Sequence, residues 1–199
     1  MKVKICGLQE PEHVLAAVDA GADYIGFVFA PSKRRVSPRQ AAALASLIPP
    51  RVKRVGVFVN PTQDELDEAI LVAGLDIIQL HGEESNEFCA KQVKPVIKAF
   101  SIISKNDVMN LGNYDVLYHL VDAPGTGYRG GSGHSFDWSL IPQGNKPSHL
   151  FLAGGLSSEN IKKAINEVKP YGVDVSSGVE TNGVKDIQKI KTFIHLAKA

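Results

Sequence analysis

Three stretches of this chain repeat one phrase: Ala20-Gly21-Ala22-Asp23-Tyr24-Ile25, Ala73-Gly74-Leu75-Asp76-Ile77-Ile78 and Tyr171-Gly172-Val173-Asp174-Val175. In each, a glycine suited to the left-handed end of a helix precedes an aspartate and an aromatic or β-branched run. Helix, turn and strand therefore recur as one unit. Working outward from the phrase, strands are expected at Val3–Cys6, Tyr24–Phe29, Val52–Val59, Asp76–Leu80, Val96–Phe100, Val116–Asp122, Leu150–Leu152 and Val173–Val175. Between them apolar residues lie three and four apart, as in Val14, Leu15 and Val18 or Leu66, Ile70 and Leu71, which is a helical period. Pro49-Pro50, Pro95, Pro147 and Pro170 punctuate the joints.

Strands alternating with helices imply a parallel sheet with crossovers. Eight units leave ~25 residues each, close to the least that a closed (β/α)₈ barrel needs. An open doubly wound sheet is the rival and usually has fewer strands. The expectation is an α/β protein, a single-domain (β/α)₈ TIM barrel over residues 1–199.

Composition narrows the function. The chain is 44% hydrophobic and 22% charged, with 22 Lys+Arg against 21 Asp+Glu. That excludes a disordered chain, and the near-zero net charge argues against nucleic acid as a partner. No apolar run approaches the ~20 residues of a membrane helix, and the start of the chain reads as a strand rather than a signal peptide. A cytoplasmic protein with no membrane partner is expected, either a monomer or a homodimer. Cys6 and Cys89 show no C-x-x-C spacing, and the six histidines show no metal-ligand spacing. With no Walker or Rossmann pattern either, neither a metal nor a cofactor is expected.

In such a barrel the working face lies at the C-terminal ends of the strands. Cys6 ends the first strand, where a thiol of lowered pKa serves as a base, although a free cysteine is more often a small buried apolar residue. Cys89, beside Phe88 with Val93 one turn on, reads as core packing. Asp122 ends the sixth strand, where desolvation raises a carboxyl pKa and suits it to act as an acid. Glycines at 125, 127, 130, 131 and 133 follow it and read as a lid or substrate wall. Ala153-Gly154-Gly155 and Ser176-Ser177-Gly178 follow the seventh and eighth strands, where this barrel class binds phosphate. Ser32-Lys33-Arg34-Arg35 is either a solvated surface or the source of an arginine clamp for a carboxylate. Of the histidines only His81 falls at a strand end. An acid, a base and a phosphate grip without a cofactor suit proton transfer on a sugar phosphate.

These motifs resemble a known family. Lys4-Ile5-Cys6-Gly7, Gly26-Phe27-Val28-Phe29, Ser32-Lys33-Arg34-Arg35-Val36-Ser37-Pro38, Gly56-Val57-Phe58-Val59-Asn60 and Gln79-Leu80-His81-Gly82 are similar to phosphoribosylanthranilate isomerase. So are Gly130-Gly131-Ser132-Gly133, Phe136-Asp137-Trp138, Leu152-Ala153-Gly154-Gly155-Leu156 and Gly172-Val173-Asp174-Val175-Ser176-Ser177-Gly178-Val179-Glu180, in order over about residues 3–195. The resemblance implies a cofactor-free Amadori rearrangement in tryptophan biosynthesis, acting on a small phosphorylated substrate. It implies Cys6 as general base and Asp122 as general acid. It implies Arg34 as the holder of the anthranilate carboxylate, with Arg35 a substitute because the loop is one residue shorter than in some members of the family. Gly154, Gly155, Ser177 and Gly178 would hold the phosphate, helped by Gly131, Ser132 and Gly133, with His81 and Asp174 as further substrate contacts. A pentose-phosphate epimerase would show a metal set, an indole-glycerol-phosphate synthase a catalytic lysine such as Lys98, and a regulatory barrel no turnover.

Overall fold

A strand turns successive side chains to opposite faces, so one buried on both faces reads as a continuous apolar run. The computed structural model, which describes residues 1–123, 137–141, 144 and 146–199, forms such strands at each expected place. They are β1 (Lys2–Cys6), β2 (Tyr24–Val28), β3 (Lys53–Phe58), β4 (Ile77–Leu80), β5 (Val96–Ser101), β6 (Tyr118–Asp122), β7 (Leu150–Leu152) and β8 (Gly172–Val175). All pair in parallel in chain order, and β8 returns to β1 to close the barrel. The helices are α1 (Pro11–Asp19), α2 (Pro38–Ala45), α3 (Gln63–Ala73), α4 (Asn86–Ala90), α5 (Lys105–Met109), α6 (Ile161–Val168) and α7 (Ile187–Lys198). Between β6 and β7 the described residues include a 3₁₀ turn, Trp138–Leu140. A small hairpin of β9 (Glu180–Thr181) and β10 (Val184–Lys185) follows β8, too short to carry any sequence period.

Local chemistry starts the helices. Ser37 and Gln40 form a capping box around Pro38, and Thr62 and Glu65 form another at α3. The faces turned to the barrel are narrower than the sequence period implies. In α1 the buried stripe runs through Val14, Ala17 and Val18, leaving Leu15 exposed; in α3 it runs through Leu66, Ala69 and Ala73, leaving Leu71 83% exposed. Alanines on these stripes let the helices sit close to the strands. Of the three repeated phrases, the first two place a glycine of positive φ at a helix end, and Gly74 is the cap of α3 itself. Gly21, at φ 96°, likewise ends α1 one residue past Ala20, whereas at the third phrase Lys169 takes the left-handed position and Gly172 already lies inside β8.

Strand parity sorts the barrel. Tyr24, Val55, Ile77, Ile97, Ala99, Tyr118, Leu120, Phe151 and Ala153 pack inside, whereas Val3, Ile5, Ile25, Phe27, Val121, Val173 and Val175 face the helices. At the floor the Tyr24 and Tyr118 hydroxyls are 3.0 Å apart, and both rings stand edge-on to Phe151. The same alternation sends Lys4 and Cys6 of β1, Asp122 of β6 and Asp174 of β8 inward.

Lys98 lies between Ile97 and Ala99 and so points outward. Its ammonium donates to Glu84 Oε2 at 3.0 Å and to the Gly82 carbonyl at 2.9 Å. Glu84 in turn accepts the backbone N–H groups of Asn60 and Gly82, latching the loops after β3 and β4. This lysine is structural, which removes the residue an indole-glycerol-phosphate synthase reading would need. Replacing Lys98 by Met leaves the buried Glu84 carboxylate without its cation and costs about 3–5 kcal/mol, which urea unfolding followed by circular dichroism measures directly.

Candidate active site

The inward side chains at the ends of β1, β6 and β8 meet around one ion pair. Lys4 is fully buried, and its Nζ lies 3.0 Å from Asp174 Oδ1. Cys6 is one inward position further along β1, opposite Gly26 of β2. Asp122 ends β6, with its Oδ1 accepting the Ala123 N–H at 2.8 Å and its Oδ2 3.6 Å from His81 Nε2. Both Cys6 and Asp122 sense the charges of Lys4 and Asp174, so the thiol, the two carboxyls and the lysine belong to one electrostatic cluster. Gly154, at φ 81°, is needed for this packing, because a Cβ there would lie 2.8 Å from Asp122 Oδ1.

The environments separate the titrations. Burial, reinforced by the Asp174 carboxylate, raises Asp122 to about 7 against the opposing pull of the Ala123 N–H and Lys4. That is the direction expected for an acid at a barrel mouth. Cys6 differs from expectation. Burial pushes its thiol above the ordinary value, although Lys4 and Lys185 pull it back. At neutral pH Cys6 is therefore a neutral thiol rather than a standing thiolate.

Arg34 and Arg35 part company. Arg34 crosses the end of β1, where Gly7, at φ 76°, leaves room; a Cβ on residue 7 would lie 2.6 Å from Arg34 Cδ. Its Nε and Nη2 donate to the two carboxylate oxygens of Glu180 at 2.6 and 2.9 Å. Arg35 is exposed and lines an outer groove with Phe29, Phe58 and Glu65. Arg34, not Arg35, therefore lies beside the strand ends.

The loops after β7 and β8 pack together, since a Cβ on Gly178 would run into the Leu156 carbonyl. Gly154 and Gly155 both have positive φ, and Asn160 Nδ2 holds the Gly155 carbonyl at 2.8 Å. Ser177 and Gly178 open a short 3₁₀ turn alongside. Gly131, Ser132 and Gly133, with Gly125, Gly127 and Gly130 of the expected lid or substrate wall, lie outside the described residues. Cys89 is buried in α4 as expected, though Val93 beyond it is exposed. Among the described residues no cluster of three His, Cys, Asp or Glu side chains is arranged to hold a metal ion.

Lys4, Glu180, Lys185 and Gln79 were missed from the sequence as site residues. Lys4 and Glu180 stood inside quoted motifs, and strand parity alone would have turned Lys4 inward beside Cys6. Lys185 donates to Glu180 at 2.8 Å and to the Ser176 carbonyl at 2.7 Å, and nothing in its sequence context signals that. Gln79 is inward on β4, and its Oε1 has no hydrogen-bond partner among the described residues.

Residues 3–196 match the family described as N-(5'phosphoribosyl)anthranilate (PRA) isomerase. An N-(5'-phosphoribosyl)anthranilate isomerase from Listeria innocua is 54% identical over all of this chain and 98% of its own length. The crystal structure of phosphoribosyl anthranilate isomerase from Thermotoga maritima superimposes with a TM-score of 0.91 at 43% identity, covering 100% of this chain and 98% of that one. A crystal structure of the isomerase in complex with reduced 1-(o-carboxyphenylamino)-1-deoxyribulose 5-phosphate gives a TM-score of 0.88 at 42% identity, with the same coverage.

Glu180 is the electrostatic hub of the rim. Burial opposes its charge, but hydrogen bonds from Arg34 and Lys185 outweigh burial and hold the carboxyl at about 2. The unfolded chain binds that proton near the ordinary value of 4.5, so the hub stabilises the fold fully above that pH and loses its contribution as pH falls toward 2. Melting temperature should drop as pH is lowered through this window, and the drop should be shallower in Glu180→Gln; equal slopes would mean the hub is uncoupled from folding.

Proposed function

The chain belongs to the N-(5'-phosphoribosyl)anthranilate isomerase family, and from that premise we propose that Cys6 and Asp122 carry the proton transfers of its reaction. The enzyme converts N-(5'-phosphoribosyl)anthranilate to 1-(2-carboxyphenylamino)-1-deoxyribulose 5-phosphate, a step of tryptophan biosynthesis. The observation that carries the assignment of roles is the buried Asp122 carboxyl, raised to about 7 and sharing the Lys4–Asp174 pair with the only thiol of the inner face described.

Protonated Asp122 donates to the ribose ring oxygen as the C1'–O4' bond breaks and the aryl amine lone pair forms an iminium. That cation acidifies C2', and the Cys6 thiolate removes its proton. The electron pair moves toward nitrogen to give an enolamine, which gains a proton at C1' and loses the one on O2' to become the ketone. Each assisted transfer is worth ~10²–10⁴ in rate.

Binding residues fix the two ends of the substrate. Glu180 occupies the Nε side of the Arg34 guanidinium, which leaves Nη1 and the free N–H of Nη2 to offer a fork to the anthranilate carboxylate. The backbone around Gly154, Gly155, Ser177 and Gly178 receives the phosphate, with Gly131, Ser132 and Gly133 as further donors. His81 and Asp174 border the ribose, and Gln79 Oε1 is an acceptor for one of its hydroxyls. Holding a substrate at both ends supplies orientation.

Cys6→Ala and Asp122→Asn should each lower kcat by ~10²–10⁴-fold with an unchanged circular dichroism spectrum, and near-normal turnover would remove that residue from its role. Arg34→Ala should act chiefly on KM.

The pH profile has a definite sign. Below pH 7 both groups hold protons and no base exists. The first proton lost comes mostly from Asp122, but a small constant fraction of molecules lose it from Cys6 instead and are active. With Asp122 at about 7 and Cys6 above its ordinary 9.0, that fraction is below about one in a hundred. The kcat/KM should therefore rise through pH 7, level off, and fall above 9.0 when the acid is lost as well. A profile that falls through pH 7 would contradict this order of ionisation.

A further inference from the structure

Lys4 is an expensive residue to bury, and its surroundings say what it faces. Its side chain is fully shielded from solvent, with its Nζ tied to Asp174 Oδ1 at 3.0 Å. Cys6 lies two residues along the same inner face. Opposite them Gly26 has no side chain, and a Cβ built there would sit 2.8 Å from Cys6 Sγ and 3.1 Å from Lys4 Nζ. Two atoms that close to one point are less than 6 Å apart. The missing side chain at residue 26 is what lets sulfur and ammonium share that space.

We propose that Lys4 is the positioning residue for Cys6: its ammonium, clamped by Asp174, is the counter-ion that admits a thiolate into the barrel. The proposal rests on Cys6 being the base. Charged groups near the sulfur come from three elements: Lys4 on β1, Asp174 on β8 and Lys185 on β10. Lys185 is committed elsewhere, to Glu180 Oε1 at 2.8 Å, the Ser176 carbonyl at 2.7 Å and Ser176 Oγ at 3.2 Å. Arg34 is likewise held by Glu180. Among the described residues Lys4 pairs with Asp174 and is the cation that also contacts the sulfur, so it is the one that faces a charge forming there. Burial works against the Lys4 charge, but Asp174 and Cys6 together keep its proton on.

Cys6 ionisation is read from the pH dependence of its alkylation by iodoacetamide, in a Cys89→Ala background that leaves one thiol. Lys4→Gln keeps an N–H donor for Asp174 but removes the charge. It should move the alkylation midpoint up by about one unit or more and lower kcat at neutral pH about tenfold per unit, with KM little changed. The plateau of kcat/KM should fall by the same factor while its descending limb moves to higher pH with the Cys6 midpoint, a shift that a merely structural defect would not produce. An unshifted midpoint in folded Lys4→Gln overturns the proposal. In the unsubstituted protein the ¹⁵Nζ resonance of Lys4 should respond at the pH where Cys6 ionises and lose that response in Cys6→Ala; a silent resonance overturns the proposal even if Lys4 variants fail to fold. Activity retained in Cys6→Ala would instead sink the base assignment, and the alkylation midpoint would still judge the lysine.

Discussion

The Lys4–Asp174 ion pair is the constraint around which the barrel mouth is arranged. Taking two charges out of water costs several kcal/mol per ion, and apolar residues of similar volume commonly serve stability as well or better. The cylinder already has an apolar floor in Tyr24, Tyr118, Phe151 and Leu120, which would accept further aliphatic side chains. A lysine with no solvent exposure is therefore poorly explained by folding. Its position explains it better: the thiol of Cys6 and the carboxyl of Asp122 both lie within its field.

One cation among two carboxylates and a thiol also divides their roles. Asp174 has the ammonium at 3.0 Å, whereas Asp122 has a backbone N–H and a histidine nitrogen at 3.6 Å. Desolvation and repulsion by the paired carboxylate then act on Asp122 with little to oppose them. Two inward aspartates thus become one ion-pair partner and one carboxyl that titrates near neutrality, as the proton donor of the proposed mechanism must. The rim is held on either side of this centre by separate latches. Glu84 and Lys98 join the loops after β3 and β4, while Glu180 joins Arg34 to Lys185 beside β1 and β8.

The barrel was legible because β-branched runs and short connections are local signals, and every expected strand lies within a residue or two of its place. Cys6, Asp122 and the glycine turns were legible because the fold dictates where strand ends point. What stayed hidden depends on partners far apart in the chain. Nothing local joins Arg34 to Glu180, which are 146 residues apart, or Lys4 to Asp174, 170 apart. Leu15 and Leu71 misled because a hydrophobic count treats alanine as weak signal, whereas close packing onto strands favours it. The lowered thiol pKa failed for another reason: position at a strand end is legible in sequence, but depth of burial is set only once the neighbouring elements are in place.

That failure bears on why position 6 carries sulfur. A carboxylate there would face Asp174, adding a second negative group beside the one ammonium that Asp174 already holds. It would either keep its proton, and be a poor base, or repel Asp174. A thiol of raised pKa is uncharged at neutral pH and adds no repulsion until it is called upon. On the proposed mechanism its charge is needed only when an iminium has formed next to it, so the new anion arises opposite a new cation. Lys4 bridges the interval between those two moments, which is the least that one buried ammonium has to supply.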